Sequence, residues 1–160
     1  MRVVVSFIFS FFLMACSSLE ITTSFPLPLN DKVQSITIFS LENYTDTPQA
    51  GMRASNLIEG VLLSQGYTVR NAISLRPKDL KEKLRIAGEN GSDYLLTGGV
   101  SEWRYKTGID GEPAISLQCT LIKVDSAKVV WSTTASSNDW GNSSIGTTAQ
   151  SMISAMLEKK

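Results

Sequence analysis

The stretch that decides the fold is DYLLTGGVSEWRYKTGIDGEPAISLQCTLIKVDSAKVVWSTTASSN, residues 93–138. Its first third, DYLLTGGVSEWRYK, reads as a strand. PAISLQCTLIKVD and KVVWSTTASSN read as a hairpin turning across Asp125, Ser126 and Ala127. Between the first strand and this hairpin lies a glycine-bounded acidic tip with Gly108, Asp110, Gly111, Glu112 and Pro113. Gly98-Gly99 falls inside a strand pattern. It lacks the following Lys-Ser/Thr and the helix start of a phosphate loop, so it marks a bulge or a close backbone approach.

Upstream, VQSITIFS (33–40) is a strand, with Ile36, Thr37 and Ile38 β-branched. LENYTDTP is a polar loop leading to a helix, with Thr47 as candidate N-cap. In the segment that follows, Ala54, Leu57, Ile58, Val61 and Leu62 recur at helical spacing, and Gly66 suits the position just past the helix end. YTVRN is a short strand. PKDLKEKLRIAGENG begins a second helix at Pro77, puts Leu80, Leu84 and Ala87 on one face, and stops at Asn90-Gly91. Downstream of residue 138, Ser143 or Ser144 can cap a last helix. Its stripe is Ile145, Ala149, Met152, Ile153 and Met156, and Lys159 and Lys160 suit its C-terminal dipole. The order β-α-β-α-β-β-β-α predicts an α+β fold, a mixed sheet with helices packed on one face.

The N-terminus sets the address. Met1-Arg2 precedes VVVSFIFSFFLM, an apolar run shorter than the ~20 residues a membrane span needs. It has the length of a signal-peptide core. The run ends in LMAC, which resembles a bacterial lipobox. That resemblance implies cleavage before Cys16 and acylation of its thiol, and Ser17 after it implies sorting to the outer membrane. The expected organisation is a signal peptide over 1–15, a lipidated tether over 16–32, and an α+β domain over 33–160. Pro26 and Pro28 favour extended backbone in the tether, and 17–32 shows no periodic element.

The chain carries 15 basic and 15 acidic residues. Loss of Arg2 with the signal leaves a net charge near −1, and no basic surplus points to nucleic acid. There is no histidine, so no Ser-His or Cys-His pair and no His-containing metal site can form. With Cys16 committed to lipid, Cys119 has no disulfide partner, and its alternation with Ile115, Leu117 and Leu121 reads as a buried strand thiol. The acidic residues form no spaced metal cluster, so no catalytic residue, metal or cofactor is expected. Asp110 and Glu112 are neighbours on a glycine-rich tip, unlike a glycosidase pair set in a walled cleft.

The segment SEWRYKTGIDGEP through SMISAML (101–157) resembles the PelC family of outer-membrane lipoproteins of Pel exopolysaccharide export, and so does LENYTDTPQAGMRASNLIEGVLLSQGY (41–67). The wider fold resembles the N-terminal domains of CsgG and TolB. This resemblance implies a non-enzymatic subunit of a homo-oligomeric, dodecameric ring. The ring would lie on the periplasmic face of the outer membrane beneath the PelB β-barrel, with an acidic funnel that guides a cationic amino-sugar polysaccharide. Asp110 is then the first candidate for the funnel carboxylate and Glu112 the second, while Asp-Gly is also an ordinary turn former. Arg104 is either a solvated strand cation or an oligomer or loop-ordering contact, and Trp103 is read as core. Trp140, in the polar loop SSNDWGNSS, is either a buried loop anchor or an exposed indole that marks a binding surface or a membrane interface; the resemblance implies the membrane side of the ring. Two rival classes remain: an envelope lipoprotein that activates a cell-wall enzyme, and a barrel-forming channel. The chain lacks the long alternating hairpins that the second requires.

Overall fold

A computed structural model describes residues 17–23, 27–28, 34–107, 111–139 and 143–158. Seven strands and three helices follow in the order β1 (Ser18–Thr23), β2 (Ser35–Phe39), β3 (Glu42–Asn43), α1 (Ala50–Ser64), β4 (Thr68–Ala72), α2 (Leu80–Glu89), β5 (Tyr94–Tyr105), β6 (Pro113–Lys123), β7 (Lys128–Asn138) and α3 (Ile145–Met156). The strands form one mixed sheet in the order β1-β7-β6-β5-β2-β4, with β3 also on β5. This is the expected α+β fold, with β1 and β3 added to the expected order.

The β5–β6–β7 meander is antiparallel. On its other side β5 takes two parallel partners in succession: β2 along Tyr94–Leu96 and β3 along Gly99–Val100. Two glycines make this possible. A Cβ on Gly98 would meet the Gln118 carbonyl oxygen at 2.0 Å, and one on Gly99 would meet the Tyr44 ring at 2.5 Å. The close approach anticipated for this pair is therefore real at both positions.

Alternation of side chains across the strands divides the apolar residues into two layers. Ile36, Ile38, Leu96, Val100, Trp103, Ile115, Leu117, Leu121 and Trp131 pack with α1 and α3 in the larger core. Phe39, Ala72, Leu95 and Ile122 pack with Ala87 and Leu84 of α2 in a smaller cluster. Only α1 and α3 thus share a face; α2 lies on the opposite one, because odd-numbered Phe39 and Leu95 point away from Ile38 and Leu96.

Helix ends follow local chemistry. α1 closes with Gly66 at φ 86°, while Gly66 N–H donates to Leu63 O and Tyr67 N–H to Leu62 O, the paired bonds of a Schellman motif. Asp79, not Pro77, starts α2: its side chain accepts from Glu82 N–H at 2.8 Å, and the Glu82 carboxylate accepts from Lys78 N–H. Ser144 caps α3 by accepting from Thr147 N–H. Thr47 does not cap α1. Its hydroxyl donates instead to the Trp103 carbonyl, and Gln49, at φ 60°, precedes the helix with no side-chain cap.

The largest departure is at the N-terminus. Residues 18–23 are not tether but an edge strand, paired in register with β7 from Ser18↔Asn138 to Thr23↔Thr133. Only Ile21 of this strand packs against the core, so the stretch carries too little apolar pattern to be read as a strand by periodicity.

Two glycines of α1 should respond oppositely to alanine. Gly60 has nothing within 4 Å of a built Cβ, so Gly60→Ala should gain the helix-propensity difference of roughly 0.5–1 kcal/mol. At Gly51 a Cβ would fall 1.9 Å from Leu41 O. Gly51→Ala should therefore lose roughly 1–3 kcal/mol through overpacking, despite the same propensity gain. Urea unfolding of the two variants checks both signs.

Candidate functional site

The β5–β6 hairpin closes at Tyr105↔Pro113. Beyond it, Lys106 N–H donates to Glu112 O at 2.6 Å, and Lys106 Nζ pairs with Glu112 Oε2 at 3.2 Å. Gly111, at φ 52°, takes the left-handed conformation before Glu112. Asp110 lies outside the described residues. Glu112, the second funnel candidate, has its charge offset by Lys106 and helps close the hairpin. Arg104 pairs with Glu102 Oε1 at 2.8 Å, two residues back on the same strand. The structure thus gives Arg104 an acidic neighbour on its own strand, and pairs Glu112 separately. Trp103 is buried, as expected.

Three chain segments meet at this end. Asp139 N–H donates to Pro113 O, and Ile145 N–H to the Tyr105 hydroxyl at 3.3 Å. Ser143 Oγ donates to Asp139 Oδ2. The hairpin flanks, Asp139, Ser143 and the start of α3 are therefore joined directly. The N-terminus arrives at the same place: Ser17 Oγ donates to Asn138 O, and the Ser18 hydroxyl bonds the Asn138 side chain. Cys16 and Trp140 lie outside the described residues, but each is one residue along the chain from a member of this cluster, Ser17 and Asp139.

A second feature lies along β5. The register shifts between Val100 and Glu102, a bulge that turns both Val100 and Trp103 into the core and leaves Ser101 and Glu102 facing out. Opposite them, the 43–47 loop is tied down by its own bonds: Asn43 Oδ1 accepts from Thr45 N–H, Asn43 Nδ2 donates to Thr47 O, and Tyr44 N–H donates to Val100 O. A groove of about 470 Å³ separates loop and strand. Sequence reading missed it, because LENYTDTP shows only a polar loop; the one signal was the glycine pair, which leaves room for Tyr44. A neighbouring cleft of about 330 Å³ borders the pair Lys83 Nζ–Glu42 Oε1, 3.0 Å apart. Lys83 also reaches Thr97 Oγ1, bracing α2 against β3 and β5.

Reactive groups are sparse. Cys119 is fully buried, and burial pushes its thiol up to about 12, far from a nucleophile's range. Among the described residues no group of three side chains could hold a metal ion. The described surface of this small α+β domain offers grooves and charge pairs, with no activated nucleophile among the described residues.

No protein-family model matches the sequence, and no curated protein matches it. Solved structures do. Two PelC dodecamer structures from Paraburkholderia phytofirmans, one of them a leucine-to-methionine variant, are each 33% identical to this chain. The variant aligns over 86% of this chain and 96% of its own, with a TM-score of 0.76; the other aligns over 89% and 95%, with a TM-score of 0.75. The lipoprotein GNA1162 from Neisseria meningitidis shares the fold at 22% identity and a TM-score of 0.55, over 76% of this chain and 94% of its own. The chain belongs to the PelC family.

The Cys119 environment gives a pH test. A thiol whose folded pKa exceeds its unfolded value adds stability that is full below pH 9.0 and is lost as pH rises toward 12. Cys119 should resist maleimide at neutral pH and react only under denaturant. Labelling of the native protein would show that β6 opens locally.

Proposed function

We propose that this chain is a non-enzymatic outer-membrane lipoprotein subunit of an exopolysaccharide export complex. Its signal peptide is residues 1–15, and Cys16 carries the lipid. Copies assemble into a dodecameric ring on the periplasmic face, beneath a β-barrel of the PelB kind, and guide a cationic amino-sugar polymer to it. The two PelC structures that this chain resembles at 33% identity are dodecamers, which supports the ring.

The observation that carries the reading is the convergence of the hairpin flanks, Asp139, the start of α3 and Ser17 at one end of the sheet. Cys16 adjoins a pinned residue directly, so acyl chains there hold this end within a residue or two of the bilayer. Trp140 follows Asp139 in the sequence, and its indole is the proposed contact with the headgroup layer. In this arrangement residues 17–23 act as a short leash, not a long tether.

The roles of the two acidic candidates then differ. Glu112 is held by Lys106 and contributes little net field, whereas Asp110 is the funnel carboxylate. Arg104, paired with Glu102, offers a charge-compensated contact to a neighbouring subunit. A single exposed charge contact contributes ~0–1 kcal/mol, and repetition around a ring builds the field that a moving polymer follows.

Asp110→Asn should lower secretion of a cationic polymer severalfold while native mass reports an intact ring. Asn-Gly keeps the turn chemistry of Asp-Gly, so the loss would be electrostatic. Glu112→Gln should have the smaller effect on secretion. Normal export by the double variant would remove the funnel role, and loss of the oligomer would make these carboxylates assembly contacts. Separately, Cys16→Ser should release the protein from the outer membrane into the periplasmic fraction; retention there would contradict the anchor.

A further inference from the structure

We propose that the groove between the 43–47 loop and the bulged middle of β5 is a saccharide subsite, built to seat one cationic hexosamine unit on the ring of Tyr44. The choice of an amino sugar rests on the export reading above; the groove itself does not.

Four observations carry it. Tyr44 is 70% exposed, although its ring rests by the Cδ2–Cε2 edge on Gly99, where a Cβ would meet it at 2.5 Å. An aromatic ring laid on a sheet and left open to solvent is an unfilled contact surface. Its position is fixed in advance, because Tyr44 N–H is bonded to Val100 O and Thr47 Oγ1 to Trp103 O, so little ordering is needed when a ligand arrives. The groove beside it is about 470 Å³, the size of a small-ligand cleft.

The walls match an amino sugar. Ser101, whose hydroxyl donates to Ser116 O, and Ser116, whose hydroxyl bonds that of Ser136, keep lone pairs that can accept from a sugar's hydroxyls, and Asp46 and Glu102 supply carboxylates for an ammonium. Glu102 is already paired with Arg104, which also lines the groove and cancels that carboxylate's charge, so the attraction for an ammonium falls to Asp46. Asp46 makes no ion pair among the described residues and lies at the groove's edge. An ammonium placed there lies against one carboxylate and beside an aromatic face, two attractions of the same sign. The apolar face of a pyranose covers the ring, and its substituents point to the serines. A neutral, N-acetylated unit keeps the ring contact and loses the charge.

The test uses the full lipidated protein in detergent, titrated calorimetrically with a glucosamine oligomer and with its N-acetylated counterpart. The glucosamine oligomer should bind, and the acetylated one should bind at least severalfold more weakly. Tyr44→Ala should weaken glucosamine binding about five- to tenfold, Tyr44→Phe should restore it, and Asp46→Asn should remove most of the preference for the amine. Hydrogen exchange should slow at residues 43–47 and 100–104 when the oligomer is present. Several results overturn the proposal: equal binding of both oligomers, full binding by Tyr44→Ala, or loss of the oligomeric state in that variant, which would make Tyr44 a subunit contact. If Tyr44→Ala binds normally while Asp110→Asn secretes poorly, the subsite is wrong and the export reading stands. If the wild type binds neither oligomer and Asp110→Asn exports normally, both fall.

Discussion

The structure depends on β5 having to satisfy different neighbours along its two sides. On one side it pairs with β6 over nearly its full length; on the other it pairs first with β2 and then with β3. A strand buried by partners on both sides has little freedom to adjust. Close packing at its middle is achieved by removing side chains, at Gly98 against the β6 backbone and at Gly99 against Tyr44. The strand then needs its bulge at Ser101. Without the extra residue, strict alternation would place Trp103 on the opposite face from Val100, in solvent. The bulge keeps both in the core and, as the other half of the same geometry, puts Ser101 and Glu102 side by side on the outside. The surface groove is a consequence of core packing.

What the sequence makes legible follows the strength of its patterns. The β5–β6–β7 meander and the three helices carry long apolar periodicities, and each is found where its pattern lies. β3 is two residues long and cannot show a period. β1 is an edge strand whose composition is Ser, Thr and Glu around Leu19 and Ile21; its existence is set by the open edge of β7, a long-range fact. Thr47 has the right chemistry for an N-cap, but its hydroxyl is claimed by the Trp103 carbonyl across the groove. α2 begins at Asp79 because an Asp in extended conformation, with Glu three residues on, satisfies two backbone donors, a stronger signal than the Pro before it.

The candidate site divides in the same way. Glu112 and Arg104 could be picked out as charged residues beside a turn; Glu102, two residues from Arg104 on one strand, follows from alternation, whereas the Lys106–Glu112 pair becomes evident only once the hairpin register is known. The joining of the hairpin flank to the start of α3 rests on one Tyr105 hydroxyl and one backbone bond to Pro113, neither of which has a sequence signature. Tyr44 was invisible for a similar reason: its platform is Gly99, distant in sequence and adjacent through β3.

Charge pairing connects these sites. The chain is formally neutral, and five of its 15 acidic residues are paired locally: Glu42 with Lys83, Glu89 with Arg85, Glu102 with Arg104, Glu112 with Lys106, and Asp125 with Lys123. Exposed pairs of this kind add little stability. Their larger effect is on the field outside the protein, since a compensated pair attracts a passing cation far less than a lone carboxylate does. Carboxylates left without a basic partner therefore set where a cationic chain would dwell. Asp46 is such a group among the described residues, lining the same groove as the Tyr44 ring. In the proposed export role, unpaired charges set among compensated pairs would each hold one unit of a moving polymer briefly, and none would hold the chain.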